Sequence, residues 1–327
     1  MKAKHRENRS FFAPLKDVSG TSIESMLGGT KKITFECLFM PKPDGTGEVT
    51  SRHVMLCISG FLSESGAHTK SWEHMIQMCR VANIPIYSVK WEAKSYELME
   101  NVALDASKHS LSKTKGWGDF LTGEGWNRLG TFVGNTMDQG TAHFLETRNN
   151  ARITGKLLAH FLALGRDGSP LFGDQTFSLM GFSLGTQVVK SCINRLRKLG
   201  KEQLIHNLYL LASAIFCNGR DKLKNQKNTF ISTINGQTYN LHTDNDNALL
   251  AFQSLFGGCK TFGRYPQFVL DRHNLLNELT EEEMLAKRNS QNSQYWFSWK
   301  NYDVSAISKG HMDYRAKMDL ILELINF

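Results

Sequence analysis

A serine between two glycines is the feature of this sequence that points most directly to chemistry. Residues 181–185 read Gly-Phe-Ser-Leu-Gly, a G-x-S-x-G pattern centred on Ser183. An apolar run precedes the pattern, and apolar residues at helical spacing follow it from Val188 to Leu196. Strand, sharp turn and helix are the parts of a nucleophile elbow, in which glycines avoid clashes within the tight turn. The pattern predicts Ser183 as a nucleophile, with a glycine-rich turn carrying a surface serine as the competing interpretation.

A nucleophilic serine needs a histidine to take its proton and a carboxylate to orient that histidine. After an elbow, these partners follow in the chain order serine, acid, histidine. Four histidines lie downstream: His206, His242, His273 and His311. The last of them, His311, sits in a glycine-containing loop just before the final predicted helix. Such folds deliver their base at that point, so His311 is the predicted base.

Two aspartates, Asp244 and Asp246, directly follow a predicted strand that ends at position 242. Either could be the acid, and either could instead be the N-cap of the next helix, which is a common use of aspartate. Asp221 and Asp303 are less well placed. The residues themselves leave the choice between Asp244 and Asp246 open.

An oxyanion hole in such a site takes two backbone N–H groups. One comes from the residue after the nucleophile, which is Leu184 here, and one from the loop after an early strand. Residues 58–62, Ile-Ser-Gly-Phe-Leu, form that loop. They predict the Phe61 amide as the second donor, with Leu62 as the alternative.

The elements around these residues alternate between strands and helices. Continuous apolar runs predict strands that are buried on both faces. This alternation of strands and helices therefore predicts an α/β fold with a mostly parallel central sheet and helices on both faces. Predicted strands lie at 33–40, 53–59, 84–91, 176–182, 208–216, 229–234 and 237–242, and 295–302 is either a loop or an edge strand. Predicted helices lie at 72–81, 93–106, 141–164, 246–256 and 312–325, besides the one after the elbow.

The predicted domain organisation is simple. Residues 1–30 are polar and interrupted by proline and glycine, which predicts an N-terminal arm with a short helix at 22–27. Residues 31–327 then form one domain. Within it, residues 107–140 are rich in Lys, Ser, Thr and Gly with scattered aromatic side chains. They predict an insertion over one end of the sheet and a candidate lid.

Composition narrows the class of protein. With 327 residues, 41% hydrophobic and 21% charged, the chain has the make-up of a soluble globular protein. Its net charge of +8 comes without a nucleic-acid-binding motif, so the basic clusters predict solvated or protein-contacting surfaces and no nucleic acid. No stretch approaches the ~20 apolar residues of a transmembrane helix, and no secretory signal is present. Six dispersed cysteines without a C-x-x-C pair predict free thiols in a reducing, cytoplasmic setting and no metal or other cofactor.

Several segments, in order, resemble one known family. They lie at 58–64, 89–92, 181–185, 245–246 and 302–314, and the helix at 151–159 adds to them. Together they are similar to the DUF726 proteins, α/β-hydrolase-like proteins of the transmembrane and coiled-coil domain protein 4 type, from about residue 50 to 327. The resemblance implies an α/β-hydrolase fold with the nucleophile at Ser183 and the base at His311. It also selects Asp246 over Asp244 as the acid.

The sequence departs from the family pattern at two places. Family members usually carry an apolar membrane segment before the elbow, whereas residues 101–150 are polar here. The acidic residue is usually followed by tryptophan, whereas Asn247 follows Asp246. The polar residues 101–150 therefore predict no membrane span in this region. The resemblance implies hydrolase chemistry and names no substrate.

Two hypotheses of function follow. The leading one is a serine hydrolase that cleaves an ester or thioester of a lipid or other acyl group through an acyl-serine. The alternative is a catalytically idle α/β-hydrolase-fold protein that serves as a structural or interaction subunit, through its N-terminal arm and basic surface. Contact between Ser183, Asp246 and His311 in an open pocket favours the enzyme. Burial of Ser183 by the arm or the insertion favours the scaffold, which would be assembly-bound or peripheral to a membrane.

Overall fold

A seven-stranded sheet forms the centre of the protein. The computed structural model describes residues 33–41, 53–60, 68–93, 137–163, 175–201, 204–217, 229–230, 233–255, 259–266 and 299–327. The strands are β1 (Ile33–Phe39), β2 (His53–Ile58), β3 (Ile86–Trp91), β4 (Thr176–Phe182), β5 (Ile205–Leu211), β6 (Thr238–His242) and β7 (Trp299–Asp303). The helices are α1 (His68–Ser71), α2 (Glu73–Val81), α3 (Met137–Ala163), α4 (Gly185–Lys198), α5 (Asn247–Leu255), α6 (Asp313–Ala316) and α7 (Met318–Leu324).

The order of the strands identifies the fold. Across the sheet they run β1-β3-β2-β4-β5-β6-β7. The edge strand β1 is antiparallel to β3, and every other pair is parallel. A mostly parallel sheet with one antiparallel edge strand and a serine-bearing turn after its central strand is an α/β-hydrolase fold. The predicted fold class is confirmed.

The direction of winding reverses between β2 and β4. The chain passes from β2 to β3 on one side, and then returns so that β4 pairs with the other side of β2. In open parallel sheets, ligands bind beside the carboxyl ends of the strands at such a switch point. Ser59 and Gly60 follow β2 there, and Ser183 follows β4. The topology thus brings two distant segments to the same edge of the sheet.

The core consists of the sheet and the apolar faces of the helices on it. Strands β2 and β4 are buried over almost their whole length because helices cover both faces, which accounts for their continuous apolar runs. Helices α3 and α4 lie against each other. Phe161 of α3 packs edge-on against Phe35 of β1, with ring centroids 6.1 Å apart. This packing fixes the direction of α4, and therefore of the turn that precedes it.

Gly155 lets α3 approach the backbone of α4. A Cβ built on this residue would lie against the carbonyl oxygen of Val188 and 2.9 Å from the backbone nitrogen of Cys192. Backbone atoms cannot rotate away as a side chain can, so any side chain at position 155 would push the two helices apart.

Replacement of Gly155 by alanine is therefore expected to destabilise the fold. Alanine has the better helix propensity, by about 1 kcal/mol, but overpacking against backbone costs about 1–3 kcal/mol and more where nothing can yield. Chemical denaturation should show a lower free energy of unfolding. Gly310→Ala is the control, since a Cβ there has open space around it and should change stability by less than about 0.5 kcal/mol. Equal stability of the two variants would contradict the packing argument.

The sequence predictions fail at two places around β5. The predicted strand 208–216 is wrong at both ends, because β5 begins at Ile205 and stops at Leu211. Ala212 has a φ of +45°, which turns the chain out of the sheet. Phe216 makes only an isolated antiparallel bridge with Thr261. The predicted strand 229–234 is also wrong: residues 229, 230 and 233 are helical, and position 234 makes only an isolated bridge.

The end of the chain is strand followed by two short helices. The segment left open as a loop or an edge strand is the edge strand β7, paired in parallel with β6. The helix predicted at 312–325 is interrupted at Lys317, whose φ of −120° and ψ of 31° separate α6 from α7. The predictions for 1–30, 94–106 and 107–136 lie outside the described residues.

Candidate active site

Ser183 occupies a sharp turn between β4 and α4. Its φ is +54°, in the left-handed region that is rare for residues other than glycine and costs of order 1–3 kcal/mol. Three hydrogen bonds hold it there: its N–H donates to the Leu211 carbonyl at 2.9 Å, and its carbonyl accepts from the N–H and Oγ1 of Thr186 at 3.1 and 2.6 Å. The surroundings thus stabilise a backbone conformation that projects the Ser183 side chain from the sheet edge.

Two glycines allow β2 and the elbow to meet at this edge. A Cβ on Gly185 would lie 2.6 Å from the carbonyl oxygen of Ser59, and one on Gly60 would lie 2.7 Å from the Ser183 Cβ. Real Cβ contacts are never that short, so only glycine fits at either position. The second glycine of the G-x-S-x-G pattern therefore serves contact with β2 as well as the turn.

The Ser183, His311 and Asp246 side chains form one hydrogen-bonded chain. The Nε2 atom of His311 lies 2.8 Å from the Ser183 Oγ, and its Nδ1 lies 2.7 Å from an Asp246 carboxylate oxygen. An ionised carboxylate only accepts hydrogen bonds, so Nδ1 donates, and the neutral ring presents the Nε2 lone pair to the Ser183 hydroxyl. Asp246 is fully buried and His311 is 9% exposed, which strengthens these contacts by excluding water. This arrangement can take the proton of an attacking serine.

Asp246 fills both roles that the sequence offered for an aspartate at this point. One carboxylate oxygen accepts the N–H of Leu249 at 2.9 Å and so caps the start of α5, while the other accepts from His311. Asp244 does neither: its carbonyl accepts from Arg264, and its carboxylate takes only a long 3.5 Å contact from the Ser305 hydroxyl. The cap fixes the Asp246 carboxylate, which in turn fixes the imidazole.

Contacts in the loop and against the ring hold His311 in place. In the loop, the Ser308 hydroxyl donates to the carbonyl of Gly310, the residue before His311, at 2.8 Å. The Phe182 ring packs against the imidazole with centroids 5.0 Å apart. Behind the ring, Tyr314 donates to the Leu241 carbonyl at 3.3 Å, and burial raises the pKa of Tyr314 well above its ordinary value. The position of His311 is therefore set by packing as well as by Asp246.

The structure describes one of the two predicted oxyanion donors, Leu184, and not the other, Phe61. Leu184 is buried at the N-terminal end of α4, and no acceptor in the described part of the chain takes its N–H. Phe61 and the alternative Leu62 lie outside the described residues. The segment just before them is anchored at Ser59, whose hydroxyl accepts from Trp72 at 3.2 Å and whose carbonyl accepts from Trp91 at 3.0 Å.

The other candidate residues do not join this site. His206 is near the start of β5, at the opposite edge of the sheet, with its ring 5.3 Å from that of His53. His242 ends β6, and burial lowers its pKa, opposed in part by the charges of Asp303 and Asp244. Asp303 accepts the N–H of Ser305 at 2.9 Å. His273 and Asp221 lie outside the described residues.

The buried cysteines are poor competitors of Ser183 for the role of nucleophile. All six cysteines are free thiols, and burial raises the pKa of Cys57, Cys192 and Cys217 as well as that of Cys79, the last to about 12. A thiol that stays protonated is a poor nucleophile. In the part of the chain that the structure describes, no group of three or more His, Cys, Asp or Glu side chains could hold a metal ion.

Two supporting residues were missed by the sequence analysis. Thr186 donates to the Ser183 carbonyl and accepts the N–H of Ala214 at 3.1 Å, so it ties the elbow to the segment after β5. Trp72 anchors Ser59, but its sequence signal is only that of an apolar helix position. Neither role could be read locally, because each depends on a partner brought in by the fold.

Comparison with known families decides the relationship of this chain. A family model described as a protein of unknown function (DUF726) matches residues 17–253, which include Ser183 and Asp246. This chain belongs to the DUF726 family. A protein of Schizosaccharomyces pombe described as an uncharacterized membrane protein is 25% identical over 250 residues, 74% of this chain. This DUF726 chain spans only 27% of the length of that relative.

Solved structures of hydrolases resemble this DUF726 protein distantly. An esterase of Pyrococcus furiosus matches with a TM-score of 0.38 and 10% identity, covering 94% of this chain and 89% of its own. The type II thioesterase YbtT of yersiniabactin biosynthesis matches with a TM-score of 0.30 and 12% identity, covering 88% and 96%. At these scores, the assignment of the fold rests on the strand order given above.

The membrane relative raises the question of a span in this chain. Among the helices that the structure describes, none combines the length and the apolar character needed to cross a bilayer.

Proposed function

We propose that this protein is a serine hydrolase that cleaves acyl esters or thioesters through an acyl-serine intermediate. One observation carries the proposal: the His311 imidazole lies within 2.8 Å of the Ser183 Oγ and within 2.7 Å of the Asp246 carboxylate. A fold does not define an activity, but these three groups have the geometry and order of a serine, a base and an orienting acid.

The reaction follows from the contacts. The Ser183 oxygen attacks the acyl carbonyl carbon while its proton passes to His311 Nε2, and Asp246 stabilises the imidazolium. The oxyanion that forms accepts hydrogen bonds from the Leu184 N–H and from the predicted second donor, Phe61. His311 then returns the proton to the departing alcohol or thiol, which leaves acyl-Ser183. Water, deprotonated by His311, attacks this ester and releases the carboxylic acid and free Ser183.

Apolar side chains near the elbow support an acyl substrate. The Phe216 and Phe252 rings stack with centroids 4.8 Å apart, just beyond Ala214, whose N–H lies 3.4 Å from the Ser183 carbonyl oxygen. Both rings are buried and make this side of the elbow apolar, which suits a hydrocarbon chain better than a polar substrate. The aromatic residues of 117–132 would also suit an apolar pocket, but they lie outside the described residues.

Labelling with a fluorophosphonate tests the proposal. This probe phosphonylates only a serine whose hydroxyl is activated, so the wild-type protein should be labelled and Ser183→Ala should not. Ser191→Ala is the matched control because it removes a hydroxyl from α4, the helix that follows the elbow, and should label like wild type. Labelling that persists in Ser183→Ala would refute the assignment. Absence of labelling in folded wild type would favour the idle structural or interaction subunit instead.

We infer a reducing compartment such as the cytoplasm. All six cysteines are free, and none of them forms a disulfide. The membrane relative supports a peripheral attachment to a membrane or to a larger assembly, for which the N-terminal arm and the basic surface are the proposed contacts.

A further inference from the structure

Three cations on two neighbouring helices lie close enough for their charges to interact. They are Arg148 and Arg152 on α3 and Lys190 on α4, called here the basic cluster. We propose that the basic cluster binds the phosphate group of a substrate in which the acyl group is joined to a phosphorylated alcohol or thiol. The inference rests on the proposed function, because it names the class of substrate that Ser183 would attack.

The packing of α3 on α4 places the basic cluster near the elbow. His160 accepts a hydrogen bond at 3.0 Å from Arg195, 35 residues further along the chain, and Gly155 lies against the backbone of 188–192. The two helices therefore run in the same direction. Continuing that register toward their N-termini brings Arg148 level with Ser183. Packed helices lie about 8–10 Å apart, which an arginine side chain spans for much of its length.

A second contact gives the same location independently. The guanidinium of Arg148 lies over the Phe216 ring, 4.9 Å from its centroid. Phe216 belongs to the short segment after β5 in which Ala214 contacts the Ser183 carbonyl. Arg148 is therefore separated from the elbow by one short stretch of chain. A cation placed next to this stretch of chain can hold the polar end of a substrate while the acyl carbonyl of that substrate reaches Ser183.

The charges of the basic cluster are held together at a free-energy cost. Burial lowers the pKa of Lys190, and the neighbouring charges of Arg148 and Arg152 add a smaller decrease. Together they bring it to about 8. Burial also lowers the pKa of Arg148. Lys190 is still mostly protonated at pH 7, so the three groups repel one another. A phosphate group bound beside these cations would be stabilised by their positive charges, which is the physical basis for a binding site.

Phosphate fits this donor set better than a carboxylate does. Two arginines one helical turn apart present planar forks of N–H donors, and Lys190 adds a point charge. Three cations match the two negative charges and several oxygens of a phosphate monoester.

Binding of octyl phosphate, measured by calorimetry in the full chain carrying Ser183→Ala, tests the site without requiring any bond cleavage. The double substitution Arg148→Met and Lys190→Met should raise the Kd for octyl phosphate about tenfold. A hydrogen bond to a charged group of this kind typically changes Kd by about tenfold or more. Octyl glucoside, which is neutral, should bind equally well to both proteins. Lys198→Met, an exposed cation at the far end of α4, is the matched control and should leave both constants unchanged. If the double variant does not fold, Arg152→Gln, on the exposed side of the basic cluster, should raise the Kd about threefold.

Hydrolysis then distinguishes the two sources of phosphate. Loss of kcat/KM in the basic-cluster variant for palmitoyl lysophosphatidic acid assigns a lipid headgroup, and loss for palmitoyl-coenzyme A assigns a nucleotide thioester. The Lys198→Met control should keep its activity on neutral p-nitrophenyl butyrate within about twofold of wild type, and the basic-cluster variant should lose less activity on this ester than on the phosphorylated ones. Octyl phosphate binding that is absent, or unaffected by the substitutions, overturns the proposal. A wild-type protein that binds octyl phosphate but hydrolyses none of these esters refutes the hydrolase and leaves the phosphate site standing.

Discussion

Replacing His311 by glutamine is expected to lower kcat by about 10⁴- to 10⁶-fold, and adding Ser183→Ala to that variant should cost almost nothing more. Glutamine approximates the size of the imidazole but cannot take the Ser183 proton at neutral pH. Groups that act as a unit are non-additive, because the nucleophile is useless without its base. The measurement is kcat for p-nitrophenyl butyrate in wild type, both single variants and the double variant.

His206→Gln is the matched control for this cycle. His206 is near the start of β5 at the opposite edge of the sheet, so its loss should leave kcat within about twofold of wild type. If the double variant loses the product of the two single effects, Ser183 and His311 act independently. That outcome would contradict a shared proton transfer, even if each residue alone proved important.

The two substitutions Asp246→Asn and Asp246→Ala should separate the two contacts of this carboxylate. Asparagine can still accept the Leu249 N–H and keep the cap of α5, so stability should fall by less than about 1 kcal/mol. Its amide, however, can donate to His311 Nδ1 and favour the tautomer that carries the proton on Nε2. That tautomer cannot take the Ser183 proton, so kcat should fall by about 10⁴.

Alanine at position 246 should remove both contacts. The cap is lost and the buried Nδ1 of His311 loses its acceptor, so the free energy of unfolding should drop by about 2–4 kcal/mol in addition to the loss of kcat. Denaturant titration and kcat measured on the same preparations check both effects. Asp244→Asn is the control, and it should change neither. An Asp246→Asn protein with wild-type kcat would exclude the proposed orienting role.

Much of the fold could be predicted from the sequence because its signals are local or periodic. The apolar runs of β2 and β4 reflect burial on both faces, and the spacing from Val188 to Leu196 reflects the buried face of α4. The elbow was predictable for the same reason, since strand, glycine, serine, glycine and helix are consecutive in the chain.

The predictions failed where a distant contact overrides local preference. The apolar run from 208 to 216 is typical of one long strand, yet the chain turns away at Ala212 because Ser213 pairs with Gly263, from the other side of α5. The segment 229–234 has the β-branched residues of a strand, but of its described residues only Ile234 bridges a neighbouring strand. Strand propensity describes how well a side chain packs on a sheet, and the described residues before Ile234 in this segment are not part of one.

The sequence alone determined the class of fold, the family and the position of the candidate nucleophile Ser183, because each of these is encoded in consecutive or periodic residues. Tertiary structure decided that His311, the histidine that the sequence favoured, reaches that serine, and that Asp246 caps a helix while it holds the imidazole. It also brought the cations of α3 and α4 within range of one another. These outcomes depend on strand order and helix register, which bring together residues more than 60 positions apart in the chain, as for His311 and Asp246.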